Sequence, residues 1–434
     1  MAPNVAVVVL DTLRYDSFRA EFDSLPGVEF TRCYAPSHWT VPSHAGLFVG
    51  RSPCELQVHA KSPGLDCDDP TLAERLSAAD YRTRMWSANS LLHVNPGFDR
   101  GFDEVRGPQN LDPAADHLFN WSGAVADIDA TGLRKYLEAG IECVRSDAAT
   151  VPSVVDMVKR TVFDNGPVSD SRQVRRRFAQ TDFAAENEFL FVNLTDAHTP
   201  YWPGADGGLD EPVNVVATQS FLPETIDEPH VVDAYRRTAK YLAEQYERLF
   251  ASLTAEFDYV VTVADHGEML GEEGWWNHAY GLFEELVHVP CHVWYEGVED
   301  TTVDRPVSLL DVPATVTEAA DVSTVGDGYD LLGSGGPSDR PVLTEYHGII
   351  QWLYGQADRY GVDREEYERL EPRLFGIADA DGYRFQRNDG DDQFTADDAE
   401  RVEATLDFET HERHSDQTGI SDDVMTQLEE LGYA

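Results

Sequence analysis

Three short polar clusters each follow an apolar run, and together they hold most of the side chains able to do chemistry. Asp11 follows Val5–Leu10, Asp196 and His198 follow Glu188–Leu194, and Asp265 and His266 follow Tyr259–Val263. A fourth candidate, Thr40, lies in Ser-His-Trp-Thr-Val-Pro-Ser-His at 37–44, just ahead of an apolar segment over 45–49. Hard carboxylate oxygens mixed with imidazole suit Mn²⁺, Mg²⁺ or Zn²⁺ better than a soft metal. A threonine hydroxyl is a poor nucleophile at neutral pH, and coordination to a dication lowers its pKa and makes it competent. Singly, each residue has a structural alternative: Thr40 or Asp11 as a helix cap, each histidine as a packed core residue.

The elements around these residues decide whether they can meet. The β-branched run Val5–Leu10 reads as a central parallel strand, buried on both faces. Ligands of open α/β sheets bind beyond the carboxyl ends of such strands. A further strand over 81–89 would end at Asn89, a donor for an oxyanion. Pro42 suits a first helical turn and Gly50 a helix stop. Thr40 would then sit just before a helix N-terminus, where the dipole favours negative charge. Thr71-x-x-Glu74 is a capping box. A long helix over 230–253 carries Leu242, Tyr246, Leu249 and Leu253 on one face. Pro290 inside the strand predicted over 287–294 implies an edge or a bulge, and 309–317 reads as helical. The Gly-, Ser-, Pro- and Asp-rich stretch 323–341 predicts a boundary between a catalytic part, 1–335, and a small C-terminal part, 336–434. The latter reads as a strand over 342–346, a hairpin around Asp381-Gly382 and a closing helix over 421–431. Residues 109–187 give little beyond a short helix at Val154, Val155 and Val158. They also hold the basic cluster Arg175-Arg176-Arg177, read as a solvated helix face balancing local acid.

Composition narrows the function class. The chain has 434 residues, enough for one large and one smaller domain, with 33 basic and 79 acidic side chains and a net charge of -46. Acid is spread along the chain rather than gathered in a tail, which reads as a whole-surface adaptation to a salty cytoplasm. Such a surface argues against nucleic acid or anionic membrane as a partner, because both depend on Lys and Arg. No apolar stretch has the length of a membrane span and the N-terminus lacks a signal-peptide pattern, so a soluble, cytoplasmic protein is expected. Five cysteines show no metal-type spacing and read as reduced thiols.

In chain order, Val-Val-Leu-Asp-Thr-Leu-Arg at 8–14, Trp-Thr-Val-Pro-Ser-His-Ala-Gly-Leu-Phe-Val-Gly-Arg at 39–51, Gly-Phe-Asp-Arg-Gly-Phe-Asp at 97–103, Asp-Ala-His-Thr-Pro-Tyr at 196–201, Ala-Asp-His-Gly-Glu-Met-Leu-Gly-Glu at 264–272, Phe-Glu-Glu-Leu-Val-His-Val-Pro at 283–290 and Leu-Leu-Asp-Val-Pro-Ala-Thr at 309–315 form a series. This series resembles the sulfatase-like branch of the alkaline phosphatase superfamily. The resemblance implies an α/β fold, a mainly parallel central sheet sandwiched by helices, with a small C-terminal α+β domain. It implies one divalent ion held by Asp11, Thr40, Asp265 and His266. His198 and His278 would contact the oxyanion and protonate the leaving group. His44, Asn89 and Asp196 fall on the substrate side. Sulfatases of this family carry Cys-x-Pro-x-Arg, whose Cys becomes formylglycine. Here Thr40 takes the Cys position and His44 the Arg position, and none of the five cysteines begins such a motif. A sulfated threonine cannot expel sulfate by reforming an aldehyde, so water must attack it. Thr12 stands where a second acidic ligand is often found, which points to the one-metal, Mn²⁺-type set, with Mg²⁺, Ca²⁺ or Zn²⁺ as alternatives. The expectation is a metal-dependent hydrolase of a phosphate, phosphonate or sulfate ester on a small molecule, glycan or lipid headgroup. Two rivals are a two-metal phosphodiesterase or phosphomutase, its second ion on Asp196, His198 and His278, and a non-catalytic anion-binding member. Trp202, Trp275 and Trp276 are candidate pocket walls.

Overall fold

The computed structural model describes residues 2–406 except 23–24, 109, 114–142, 144, 146–168, 184–186, 205–206, 334–339, 351 and 389–392. The helices expected near Val154 and over 421–431 lie outside the described residues. The main sheet is built from Val5–Leu10 (β1), Val28–Tyr34 (β2), Arg82–Ser87 (β3), Glu104–Arg106 (β4), Glu188–Leu194 (β5) and Tyr259–Val263 (β6). A short ribbon, Met269–Leu270 (β7) with Trp276–Asn277 (β8), precedes its last strands, His288–Val289 (β9), Cys291–Tyr295 (β10) and Thr301–Ser308 (β11).

Every residue of β1 is buried, as a strand covered on both faces must be. It pairs in parallel with β5 on one side and β6 on the other, and β3 and β4 continue the parallel run beyond β5. Beyond β6 the reversed strand β10 leads to β2 and then β11. The carboxyl ends of β1, β3, β5 and β6 therefore open along one edge. Register makes this concrete: Val9 lies opposite Val263 and Asn193, and Ser87 also opposite Asn193. Pro290 marks a break rather than an edge. β9 pairs with β2, while β10 lies inside the sheet between β6 and β2. A residue without an N–H falls where the chain changes partner.

Helices cover both faces, among them Tyr15–Glu21 (α1), Thr40–Val49 (α2), Leu72–Ser77 (α3), Asp170–Phe178 (α4), Glu228–Glu256 (α5) and Val312–Ala319 (α6). All ten residues of α2 are buried, and Gly50 ends it in the left-handed region at φ 72°. The helix starts earlier than Pro42 suggests. Trp39 is the cap residue and Thr40 opens the first turn, with no side-chain capping bond. Thr71 and Glu74 form the expected capping box at α3. The long helix α5 exceeds its expected bounds at both ends, with Pro229 in its first turn. Its Tyr235 hydroxyl donates to Thr12 O and accepts from Arg14 N, both at 2.9 Å, which pins the turn after β1. Thr12 sits there at φ 57°. The basic cluster on α4 is only partly solvated: Arg176 pairs with Asp112, but buried Arg177 donates to the backbone oxygens of Asn110 and Leu111.

The C-terminal sheet, Val342–Tyr346 (β12), Leu374–Asp379 (β13) and Gly382–Phe385 (β14), turns between Asp379 and Gly382 as expected. It packs Val342, Tyr346 and Leu374 against Tyr34, Leu282 and Leu286 of the main body. The helix Trp352–Tyr360 (α7) brings Trp352 edge-on to Trp39, ring centroids 5.9 Å apart. Among the described residues, no helix is long and apolar enough to cross a membrane.

Candidate active site

The ends of β1 and β6 deliver Asp11 and the pair Asp265–His266, all fully buried. Asp11 Oδ2 accepts from Asn89 Nδ2 at 2.7 Å and from Asn193 Nδ2 at 3.1 Å. Asp265 Oδ1 accepts from the backbone N–H of Thr12 and of His266. Asp11 Oδ1 and Asp265 Oδ2 are buried without a hydrogen-bond partner. His266 Nδ1 donates to Gly267 O at 2.9 Å, which makes Nε2 the lone-pair nitrogen. That Nε2 lies 3.4 Å from Asp265 Oδ2, 3.9 Å from Asp11 Oδ1 and 3.3 Å from Thr40 Oγ1. Residue 267 must be glycine, because a Cβ there would stand 2.0 Å from Glu285 O.

Acceptors facing acceptors in a dry interior are electrostatically incomplete. Burial pushes the Asp265 carboxyl up to about 7, and burial with His278 nearby brings His266 down to about 3. Asp11, Asp265 and His266 each offer one ligand atom within 4.8 Å of the others. Two orphaned carboxylate oxygens and one imidazole lone pair are a donor set that fits a divalent cation. Thr40 Oγ1 is a fourth potential donor atom at the same place, and Asn89 Nδ2 donates to it at 3.2 Å.

His44 and Asp196 depart from the sequence expectation of substrate contact. His44 is fully buried beneath Thr40: Nδ1 donates to Thr40 O at 2.9 Å, and Nε2 accepts from Asn193 Nδ2 at 3.2 Å. With both ring nitrogens occupied and burial lowering its pKa to about 4, it is a neutral support for the first turn of α2. Asp196 accepts from Ser171 N at the start of α4, beside Asp170, whose carboxyl burial and Asp196 push up to about 8.

His198 and His278 do come to the pocket above Thr40. Their rings lie 5.1 Å apart, and His278 is 4.5 Å from His266. His198 Nδ1 donates to Thr199 O, so Nε2 is its acceptor nitrogen. His278 Nδ1 lies 3.0 Å from Oε1 of fully buried Glu268, whose Oε2 accepts from Tyr201 Oη at 3.0 Å. Burial pushes Glu268 up to about 7 and His278 down to about 3, so near neutral pH His278 is a neutral imidazole and Glu268 divides between acid and carboxylate, its acid form being the one that can donate to His278. In that form Glu268 donates to Nδ1 and Nε2 carries the remaining proton.

Sequence reasoning did not single out Asn193 or Glu268. The signal for Asn193 was a lone amide in an otherwise apolar stretch near a strand end; for Glu268, an acid two residues past the Asp-His pair. The expected tryptophans divide. Trp275 and Trp276 line an adjoining hollow and Trp202 lines neither, while Trp39 and Trp352 wall the pocket over Thr40. Lys, Arg, Asp and Glu are absent from that wall among the described residues.

Comparison with known proteins places the chain by family and fold. The chain is 24% identical over 422 residues to a choline-sulfatase of Rhizobium meliloti (strain 1021), covering 87% of this chain and 81% of that protein. Its fold is similar to that of the phosphonate monoester hydrolase of Agrobacterium radiobacter, with TM-score 0.57, 17% identity, and coverage of 89% of this chain and 87% of that one. It is also similar to the phosphonate monoester hydrolase of Silicibacter pomeroyi, with TM-score 0.55, 17% identity, and coverage of 93% and 92%. The sulfatase family model matches residues 3–322, and with that match over most of its length the chain belongs to the sulfatase family of ester hydrolases.

Proposed function

We propose that this sulfatase-family hydrolase cleaves singly charged esters by attack of the Thr40 hydroxyl, through a covalent sulfo- or phosphothreonine. One observation carries the reading: Thr40 Oγ1 stands 3.3 Å from His266 Nε2, at the mouth of the cluster holding the two unpaired carboxylate oxygens. Asp11, Asp265, His266 and Thr40 would hold one divalent ion, Mn²⁺ by its donor set, whose chemistry is to lower the pKa of the hydroxyl and offset charge on the ester oxygens.

The chain's own groups account for the rest. The N-terminal turn of α2 and the Asn89 amide favour negative charge on Oγ1. With its proton lost to solvent beforehand, Thr40 Oγ1 attacks sulfur or phosphorus opposite the leaving oxygen as the alkoxide, the form in which it is later released; the new O–S or O–P bond forms as the ester bond breaks. The leaving oxygen takes the proton on His278 Nε2, and Nδ1 takes the Glu268 proton. Water then attacks the threonine ester and gives its proton back to the pair, which releases the acid and restores Thr40. His198 contacts the non-bridging oxygens. The pocket wall offers no Lys or Arg, among the described residues, to balance a second negative charge. Sulfate monoesters, phosphodiesters and phosphonate monoesters are therefore favoured over doubly charged phosphate monoesters.

The test is purified protein, chelated and resupplied with Mn²⁺, Mg²⁺, Ca²⁺ or Zn²⁺ in turn, against 4-nitrophenyl sulfate, bis(4-nitrophenyl) phosphate and 4-nitrophenyl phosphate. Turnover should need a divalent ion and favour the singly charged esters. Thr40→Ala should lose roughly a thousandfold or more in kcat, with its fold and ion binding retained. A Thr40→Ala protein as fast as the parent would refute the nucleophile.

A further inference from the structure

Leu13 N donates to Leu10 O at 3.1 Å and closes a tight turn at the end of β1, with Asp11 and Thr12 between them. Thr12 stands in this turn at φ 57°. A third turn position at positive φ favours glycine or asparagine, and a β-branched residue held there is strained. Thr12 is fully buried, and its hydroxyl donates to Asp11 O at 2.7 Å. Its N–H donates to Asp265 Oδ1 at 3.3 Å, so the turn that carries one carboxylate also touches the other. With His266 N at 3.0 Å on the same oxygen, Oδ1 is occupied and Oδ2 is left as the oxygen without a partner.

The bonds that hold this strained residue come from α5. The fully buried Tyr235 hydroxyl donates to Thr12 O and accepts from Arg14 N, each at 2.9 Å. Arg14 also reaches the loop after β6, where Nη1 donates to Glu268 O at 3.2 Å. The Tyr235 ring has a separate neighbour: it lies edge-on to Tyr201, centroids 5.4 Å apart. The two bonds of the hydroxyl therefore serve the turn, and the ring serves the core.

We propose that Tyr235 is a positioning residue for the divalent ion: its hydroxyl clamps the turn over 11–14, so that the Thr12 N–H keeps Asp265 Oδ2 turned towards His266 Nε2 and Asp11. It rests on Asp11, Asp265 and His266 holding that ion and is independent of Thr40 as the attacking group. A ligand oriented before the ion arrives has less freedom to lose on binding it. Groups that orient ligands in this way are each worth about 10–100-fold in metal affinity or activity. Tyr235 acts through Thr12 and not on a ligand directly, so the low end of that range is expected.

Mn²⁺ titration by calorimetry tests this, with melting of the metal-free protein followed on the same preparations. Tyr235→Phe keeps the ring and its contact with Tyr201 and removes both hydrogen bonds. Mn²⁺ should then bind about tenfold more weakly. Tyr246→Phe is the control, because Tyr246 is fully buried on the same helix and its hydroxyl bonds Thr262 within β6. It should lower the melting temperature as Tyr235→Phe does and leave Mn²⁺ affinity at the parent's value. Glycine adopts positive φ without help, so in a Thr12→Gly background the loss caused by Tyr235→Phe should shrink to about threefold or less. An unchanged affinity in Tyr235→Phe, an equal loss in Tyr246→Phe, or the same loss with and without Thr12→Gly would each overturn the clamp while the ion site stands. A parent that binds no divalent ion removes the ion reading and the clamp together.

Discussion

One amide ties three elements together: Asn193 Nδ2, on β5, lies 3.1 Å from Asp11 Oδ2 at the end of β1 and 3.2 Å from His44 Nε2 on α2. Both of its N–H groups are used. His44 in turn donates from Nδ1 to Thr40 O, so the position of Thr40, the proposed nucleophile, depends on β5 through this chain of hydrogen bonds. Asn193→Ala leaves His44 Nε2 unpaired and removes one donor from Asp11 in a dry interior. Stability should fall by about 1–3 kcal/mol, and kcat should drop more than KM rises, because Thr40 loses its alignment rather than the pocket its shape. Urea unfolding and steady-state kinetics on the same preparation check both halves. A variant with the parent's kcat would mean that His44 holds the helix unaided.

Glu268 is fully buried between His278 and Tyr201, and in the proposed mechanism it supplies the proton that His278 Nε2 passes on. Glu268→Gln keeps the shape and removes the transferable proton. Its cost should therefore depend on the leaving group. Esters of acidic phenols, which depart as anions unaided, should be cut only a fewfold, while alkyl esters should lose about a hundredfold or more. A plot of log(kcat/KM) against leaving-group pKa should steepen in the variant. Parallel lines for variant and parent would remove Glu268 from proton delivery and leave it a packing role.

The residues that were easiest to read had their geometry written locally. Six consecutive apolar residues, four of them valine, could only be a doubly covered strand, and that placed Asp11 at its open end. Pro42 and Gly50 framed α2 to within two residues and so brought out Thr40. Asn193 was illegible because its role exists only once β5 is in register with β1, where it faces Val9. His44 was misassigned for a related reason. Four residues from Thr40 on one helix, its ring reaches the backbone of its own first turn rather than the substrate. Asp196 stands at a strand end, the usual place for a site residue, but the start of α4, 25 residues earlier, takes its carboxylate. Trp352 could not be paired with Trp39 from sequence, since the C-terminal part brings it there from over three hundred positions away.

The C-terminal sheet is fastened by a compact ionic cluster. Arg384 bonds both Asp379 and Asp398, and Arg401 bonds Asp379. Its bonds to Arg384 hold Asp398 down to about 2, and Asp379 is lowered further by Arg384 and Arg401. A carboxyl depressed in the folded state contributes fully above its unfolded pKa, near 3.9, and loses that contribution as pH falls through the folded value. Asp398→Asn should therefore cost about 2 kcal/mol at pH 6. The gap between variant and parent should close as pH drops from about 4 towards 2. Urea midpoints across that range test it. A cost that persists unchanged at pH 2 would assign the loss to packing instead of charge.

A net charge of -46, from 79 acidic against 33 basic residues, sets two salt effects against each other. Salt weakens attraction in exposed pairs such as Arg237–Asp233, which destabilises the fold. It also weakens repulsion among the many carboxylates that have no basic partner to meet, which stabilises it. Acidic groups outnumber basic ones more than twofold, so the second effect should win. Stability measured in urea, which adds no ions of its own, should rise as KCl goes from 0.1 M to 1 M, over which the screening length shrinks from about 10 Å to about 3 Å. Past that point, charges a few ångströms apart are already screened and the gain should flatten. The same curve in NaCl should overlay the KCl curve if screening alone is responsible. A urea midpoint that falls with salt would mean that the ion pairs, and not the surplus of acid, govern how this surface responds.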